Sequence, residues 1–73
     1  MSLVQQYELD LQYIADGDEN SPQLIKNIRE EIGKRSAKYL KLHGVNRVNA
    51  VKEVEELNKA LREAIQNAYA FDW

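Results

Sequence analysis

Apolar residues recur every three or four positions through the stretch after Pro22, which is the period of an amphipathic helix. Its apolar positions are Leu24, Ile25, Ile28, Ile32, Tyr39 and Leu42. They fill an arc roughly 100° wide, as expected of a helix that packs along one face. Ser21 and Pro22 predict its start, and Gly44 predicts its end after His43. We therefore predict helix one over residues 22–43, with Val45 packing back on Leu40 beyond its end.

The second periodic stretch predicts a longer helix with a wider apolar face. Its apolar positions are Val51, Val54, Leu57, Leu61, Ala64, Ile65, Ala68 and Phe71. We place helix two over residues 47–71, with Asn46 or Asn49 as its cap. The short HGVN connection predicts an antiparallel helical hairpin. The apolar arc spans roughly 140°, more than one neighbouring helix covers. We therefore expect helix two to contact a second element as well as helix one.

The N-terminal segment, residues 1–16, fits two different patterns. The alternating positions of a strand are Tyr7, Leu9, Leu11 and Tyr13. The positions of one helix face are Leu3, Tyr7, Leu11 and Ile14. An isolated strand is unstable, and the rest of the chain offers no second strand pattern. We therefore expect a short N-terminal helix, with a strand paired between two chains as the alternative.

The loop IADGDENSP, residues 14–22, resembles the start of a calcium-binding loop, because Asp16, Asp18 and Asn20 alternate in it. An EF-hand that begins at Asp16 requires glycine at its sixth position and glutamate at its twelfth. The sequence has Ser21 and Asn27 at those positions. We interpret the loop as a connector, and predict neither a metal site nor a cofactor.

The chain has 73 residues, no cysteine and a single histidine, His43. It is long enough for one domain, and we expect a single all-α domain over residues 1–73. Domains of this size are marginally stable, and neither a disulfide nor a thiolate zinc site is available. We therefore expect two copies to associate through helix two as a dimeric helical bundle. Absent cysteine, and the lack of a run of about 20 apolar residues, favour a cytoplasmic protein that does not contact a membrane.

Charge is distributed unevenly along the chain, although the net charge is only −2. Residues 1–20 carry five acids and no base, whereas residues 26–47 carry seven bases and two acids. Phosphate binding requires such a basic cluster. The candidate nucleic-acid contacts are Lys34, Arg35, Lys38, Lys41 and Arg47. An isoelectric point near 5.3 makes nucleic-acid binding the alternative hypothesis, because nucleic-acid modules are usually basic. A helix-turn-helix fits poorly, since His43 and Glu53 would occupy its buried positions.

Catalysis is not predicted, and neither is a small-molecule substrate. The one pair of a hydroxyl and an imidazole on helix one, Ser36 and His43, would lie about 10 Å apart along the helix, too far to bond. Two other polar residues, Arg35 and Asn58, interrupt the apolar faces of the helices. Such residues either fix the packing register or extend to solvent at the edge of the face.

The sequence AYAFDW at the end of the chain is unusually aromatic. These aromatic residues either pack on Tyr7 and Tyr13 of the N-terminal segment or contact a partner, where aromatic anchors supply much of the binding energy. We predict a non-catalytic protein–protein interaction module, such as an oligomerising adaptor, a small chaperone or a regulator. The predicted partner-binding residues are Val51, Leu61, Ile65, Tyr69, Phe71 and Trp73.

Overall fold

The computed structural model describes residues 2–69, which form four helices packed against one another. The helices are α1 over Leu3–Gln6, α2 over Glu8–Ala15, α3 over Ser21–Tyr39 and α4 over Val45–Tyr69. No strand occurs in this range, so the all-α prediction is confirmed. The molecule is elongated, with extents of 45 × 20 × 16 Å. None of the helices in residues 2–69 is both long enough and apolar enough to cross a membrane.

The N-terminal segment is helical, as predicted, but it is divided in two at Tyr7. Ser2 and Gln5 form a capping box at the start of α1: the Gln5 N–H donates to Ser2 Oγ at 3.2 Å, and the Ser2 N–H donates to Gln5 Oε1 at 2.9 Å. This arrangement satisfies two N–H groups that a helix start leaves without partners. At Tyr7 the backbone leaves helical geometry, with φ −107° and ψ 10°. The segment can therefore change direction there while both helices remain packed on α4.

The start of α3 lies where the sequence predicts it, but the capping differs. Helix α3 begins at Ser21, and Pro22 lies in its first turn. Ser21 does not cap the helix with its side chain: its Oγ donates to the Tyr13 carbonyl of α2 at 3.5 Å. In the connecting loop, Asp18 Oδ1 accepts from the Asn20 N–H at 2.9 Å. The acidic loop is thus a turn held by its own side chains, which ties α2 to α3.

The connection between α3 and α4 corrects three predicted positions. Helix α3 ends at Tyr39 rather than at His43, because the Leu42 N–H bonds three residues back to the Tyr39 carbonyl at 3.1 Å, which tightens the chain out of the helix. Gly44 has φ +63°, the conformation glycine tolerates, but it precedes α4 instead of terminating α3. Its carbonyl accepts from the Val48 N–H at 3.2 Å. The proposed caps, Asn46 and Asn49, therefore lie inside α4.

The core lies where α1 and α2 cover α3 and α4. Its buried residues are Leu3, Leu11, Ile14, Ile28, Leu57, Leu61 and Ala64. Ile14, Ile28 and Leu57 are completely buried, at 0% exposure. Each fully buried aliphatic side chain stabilises the fold by about 1.5–3 kcal/mol. Helix α4 contacts α1, α2 and α3, which accounts for its wide apolar arc and confirms that it packs on more than one element.

Candidate functional site

Apolar side chains remain exposed at the end of the molecule where α3 joins α4. They are Leu40, Leu42, Val45 and Val48, with exposures of 64%, 37%, 73% and 66%. We call these four residues the apolar tip. They lie outside the core cluster, whose members on the two long helices are Ile28, Leu57, Leu61 and Ala64. The tip is therefore apolar surface that the described part of the chain does not bury.

The local sequence explains why the tip is exposed. Leu40, Val45 and Val48 do not belong to the apolar arcs of the two long helices, so they point away from the helix–helix contact. The predicted packing of Val45 on Leu40 does not enclose either residue, because both remain more than half exposed. Since α3 ends at Tyr39, Leu40 and Leu42 are carried by the connection rather than by an amphipathic helix.

Bases are concentrated in the stretch of sequence that contains the apolar tip, although Glu53 and Glu55 line the clefts beside Leu42 and Val48. Residues 34–52 contain six bases and no acid. The exposed bases are Lys34, Lys38, Lys41, Arg47 and Lys52. Within residues 2–69 none of these five forms an ion pair within 4.0 Å. The tip therefore combines apolar contact surface with positive charge.

The sixth base, Arg35, is bound within the fold. Its Nε donates to Glu31 Oε1 at 2.6 Å, and the two side chains are 38% and 26% exposed. The N-terminal helices reach this point, because Tyr7 lies beside the pair. Burial raises the pKa of Tyr7, and the Glu31 carboxylate raises it further, while Arg35 acts in the opposite direction. Arg35 is therefore the candidate phosphate contact least able to reach a ligand.

Two clefts lie beside the tip, and the predicted basic contacts are divided between them. Arg35 and Lys38 line one cleft, and Arg47 lines the other. One has a volume of about 140 Å³ and is lined by Arg35, Lys38, Tyr39, Leu42, Ala50, Glu53 and Val54. The other has a volume of about 340 Å³ and is lined by Arg47, Val48, Val51, Lys52 and Glu55. Val51, a predicted partner contact, is thus half-buried beside the tip and far along α4 from Ile65 and Tyr69. The predicted contact surface is therefore divided.

The remaining predicted partner contacts fall into different environments. Ile65 and Tyr69 line one cleft of about 180 Å³ with Ile14, Pro22 and Ile25, at the end opposite the tip. Tyr69 is 68% exposed there. Leu61 is only 2% exposed and belongs to the core, so no partner can reach it in the folded chain. Phe71 and Trp73 lie outside the described residues.

No protein-family model, curated protein or solved structure matched the chain. Within residues 2–69, no three acidic, histidine or cysteine side chains lie close enough together to hold a metal ion. The physical character of the exposed surface is therefore the basis for assigning a function.

Sequence reasoning missed Leu40, Val45 and Val48 as contact residues, although a signal for them exists. Each lies outside the apolar positions that define the faces of the predicted helices, and all three occur within nine positions of a stretch that contains no acid. An amphipathic helix packs along its apolar stripe, so apolar residues outside that stripe are not expected to contact the rest of the chain. The wide apolar arc of helix two predicted contacts at Leu61 and Ile65 instead, and these residues pack in or against the core.

Proposed function

We propose that this chain is a non-catalytic protein-interaction module that binds another polypeptide through the apolar tip. The observation that carries the proposal is the clustering of exposed apolar residues. Of the seven large hydrophobic residues exposed in residues 2–69, four lie between positions 40 and 48. Isolated exposed apolar residues are ordinary, whereas four of them within nine positions at one end of the molecule are a candidate interaction site.

The charge around the tip defines the partner chemistry. Five exposed bases without an acid between positions 34 and 52 favour a polypeptide that carries Asp or Glu beside its apolar residues. Complementary charge accelerates such encounters and selects against basic partners. An acidic amphipathic helix has both properties, because its apolar stripe and its acids lie on adjacent faces.

The proposal includes a helical hairpin formed by α3 and α4. It is supported by two clefts, each lined by residues from the start of one long helix and from the end of the other. Pro22 at the start of α3 shares a cleft with Ala68 near the end of α4. Tyr39 at the end of α3 shares another with Ala50 near the start of α4. We further propose that the partner can be a second copy of the chain, and that the protein acts in the cytoplasm, which its cysteine-free sequence favours.

Selection of peptides against the intact chain tests the proposal. A display library of random 16-residue peptides is expected to yield sequences in which Asp or Glu accompanies Leu, Ile or Phe at helical spacing. These peptides should bind at least tenfold more weakly to a Val45→Ser, Val48→Ser variant, because the tip then loses two of its four apolar side chains.

The matched control is Tyr69→Ser, which alters a residue at the end of α4 that is 68% exposed and lies outside the tip. Selected peptides should bind this variant as they bind the natural chain. Failure to enrich any such sequences, or equal binding to the tip variant and the natural chain, would overturn the proposed function.

Nucleic-acid binding is the second candidate. The observation that favours it is that residues 34–52 contain six bases and no acid. Its contacts would be Lys34, Lys38, Lys41 and Arg47, with Arg35 engaged by Glu31. Titration of labelled duplex DNA and single-stranded RNA at several salt concentrations distinguishes it from protein binding. Each lysine that contacts a phosphate contributes about one unit to the slope of log affinity against log salt. Absence of binding at low salt would exclude this candidate.

A further inference from the structure

The two connections at the ends of the elongated molecule carry opposite charge, since residues 16–20 contain three acids and no base, whereas residues 40–44 contain Lys41 and no acid. Residues 1–20 contain five acids and no base, whereas residues 34–52 contain six bases and no acid. Three of the acids, Asp16, Asp18 and Glu19, lie in the connection between α2 and α3, at the end opposite the apolar tip. The long axis measures 45 Å, whereas charge is screened over about 10 Å at 0.1 M salt. The two ends therefore cannot neutralise each other within one chain.

The acidic end contains a groove of about 350 Å³. The residues that line it are Asp10, Tyr13, Asp18, Asn20 and Leu24. We call these five residues the acidic groove. Tyr13 in the groove is 44% exposed, and Leu9, which lies outside the groove but one turn earlier on the same face of α2, is 60% exposed. The groove thus offers apolar contact beside negative charge, which complements a surface that offers apolar contact beside positive charge.

Pairing of two tips with each other is unfavourable on electrostatic grounds. It would bring the bases of residues 34–52 of one chain against the same bases of another, and only Glu53 and Glu55, which line the clefts beside Leu42 and Val48, would offset part of that repulsion. Like charges in contact across an interface cost several kcal/mol. The excess of bases near the tip therefore favours an acidic partner surface, and the acidic groove is such a surface on the same chain.

We propose that the apolar tip of one copy docks on the acidic groove of a second copy. This inference rests on the proposed function, in that the tip is the binding surface, and it adds the identity of the occupant. Leu40, Val45 and Val48 would contact Leu9 and Tyr13 of the second copy. The exposed bases around the tip would lie opposite Asp10, Asp16 and Asp18. The contact joins two different surfaces of the chain. A variant that is altered only in the tip therefore retains the groove, and a variant that is altered only in the groove retains the tip.

The size of the surfaces sets the expected strength. The transverse extents of the molecule are 20 and 16 Å, so the end is small beside the roughly 800 Å² that each partner contributes to a standard stable interface. Association should therefore be weak and dependent on concentration. It should also weaken with salt, because it depends on exposed charges.

Sedimentation velocity from about 10 µM to 1 mM, in low and high salt, tests the inference with two variants. The tip variant carries Lys38→Gln, Lys41→Gln and Arg47→Gln. The groove variant carries Asp10→Asn, Asp16→Asn and Asp18→Asn, and asparagine at 18 retains the side-chain oxygen that accepts from the Asn20 N–H. The natural chain should gain mass with concentration at low salt and lose it at high salt. Each variant alone should remain monomeric, whereas their equimolar mixture should form one-to-one pairs.

Three results would overturn the inference. They are a natural chain that stays monomeric at 1 mM in low salt, association that does not respond to salt, and a groove variant that associates as the natural chain does. The peptide selection remains a separate measurement. If selected acidic peptides bind the tip while the chain does not self-associate, the proposed function stands and the second copy is not the occupant. If the peptides fail as well, both are wrong.

Discussion

The Nε atom of Arg35 lies 2.6 Å from the Oε1 atom of Glu31, one turn earlier in α3. The pair is partly buried beside Tyr7, where α1 meets α2. Arg35 therefore does not extend freely to solvent, although the sequence places it among bases that do. This ion pair holds Arg35 against the fold. It also distinguishes Arg35 from the other candidate nucleic-acid contacts, which form no ion pair among residues 2–69.

Loss of this ion pair should have a small, measurable effect on stability. We expect Arg35→Gln to lower the free energy of unfolding by about 0.5–1 kcal/mol, because the pair is more enclosed than a fully exposed pair one turn apart on a helix, worth about 0.3–0.5 kcal/mol. Urea denaturation of Arg35→Gln, Glu31→Gln and the double variant measures the coupling. Glu30→Gln is the control, since Glu30 is exposed and pairs with no base among residues 2–69. A coupling indistinguishable from zero would show that the pair contributes nothing.

Alkaline pH should destabilise the fold through Tyr7. Its pKa is raised above the ordinary value of 10.0, first by burial and then by the Glu31 carboxylate. A raised pKa means that the folded chain retains the phenol proton more tightly than the unfolded chain. The resulting stability is fully present below pH 10 and is lost as pH rises through the folded-state pKa. Urea denaturation between pH 8 and about 11 should show a smaller loss for Tyr7→Phe than for the natural chain.

The control for the pH experiment is Tyr13→Phe, which removes a tyrosine that is 44% exposed. Apart from positions 7 and 13 the two variants are identical, so other effects of pH cancel in the difference between them. The prediction concerns the difference between the two variants. Equal loss of stability in both would mean that Tyr7 has no special part in it.

Helices α1 and α2 are expected to be integral to the fold, because Ile14 of α2 is completely buried against α3 and α4. We expect Ile14→Ala to lower the free energy of unfolding by about 2–5 kcal/mol, the range for large-to-small changes in a core. Leu9→Ala, on the same helix but 60% exposed, should change it by about 0.5 kcal/mol or less. Denaturant unfolding followed by circular dichroism measures both.

A chain of this size has little stability to lose, so a milder variant keeps the test informative. Ile14→Val should cost about 0.5–1.5 kcal/mol. Comparable losses for Ile14→Val and Leu9→Ala would contradict the assignment of α2 to the core.

The helical architecture was predictable because it depends on periodicity. The four-residue spacing of Leu24, Ile28 and Ile32 required a helix that packs along one face, and the structure buries or half-buries all three. The width of the α4 arc required a second contact, which α1 and α2 supply. Periodicity does not identify that second element, because another chain and the N-terminal segment could cover the wide arc equally well. Leu61 was expected at an interface with a partner, but the N-terminal segment covers the arc and Leu61 lies in the core.

The candidate site was less predictable because three of its four residues, Leu40, Val45 and Val48, lie outside the predicted apolar faces. Leu40 and Val48 lie off the periodic faces, and their exposure depends on how far α1 and α2 extend along the other helices. That reach is set by the bend at Tyr7 and by the loop after Ala15. Both are local backbone features with no periodic signal. The concentration of bases was visible in the sequence, but its coincidence with the apolar tip was not.

Two glycines allow a test of backbone conformation without a change in packing. A methyl group added at Gly33 or at Gly44 would meet no atom within 4 Å. They differ in conformation, since Gly33 lies inside α3, whereas Gly44 has φ +63° before α4. Gly33→Ala should raise the free energy of unfolding by about 0.5–1 kcal/mol, because alanine restricts the unfolded chain and favours the helix. Gly44→Ala should lower it by about 1–2 kcal/mol, because a left-handed residue with a Cβ is strained. Since both changes add one methyl group to open space, thermal unfolding that shifts both variants in the same direction would contradict the geometry of the connection at the apolar tip.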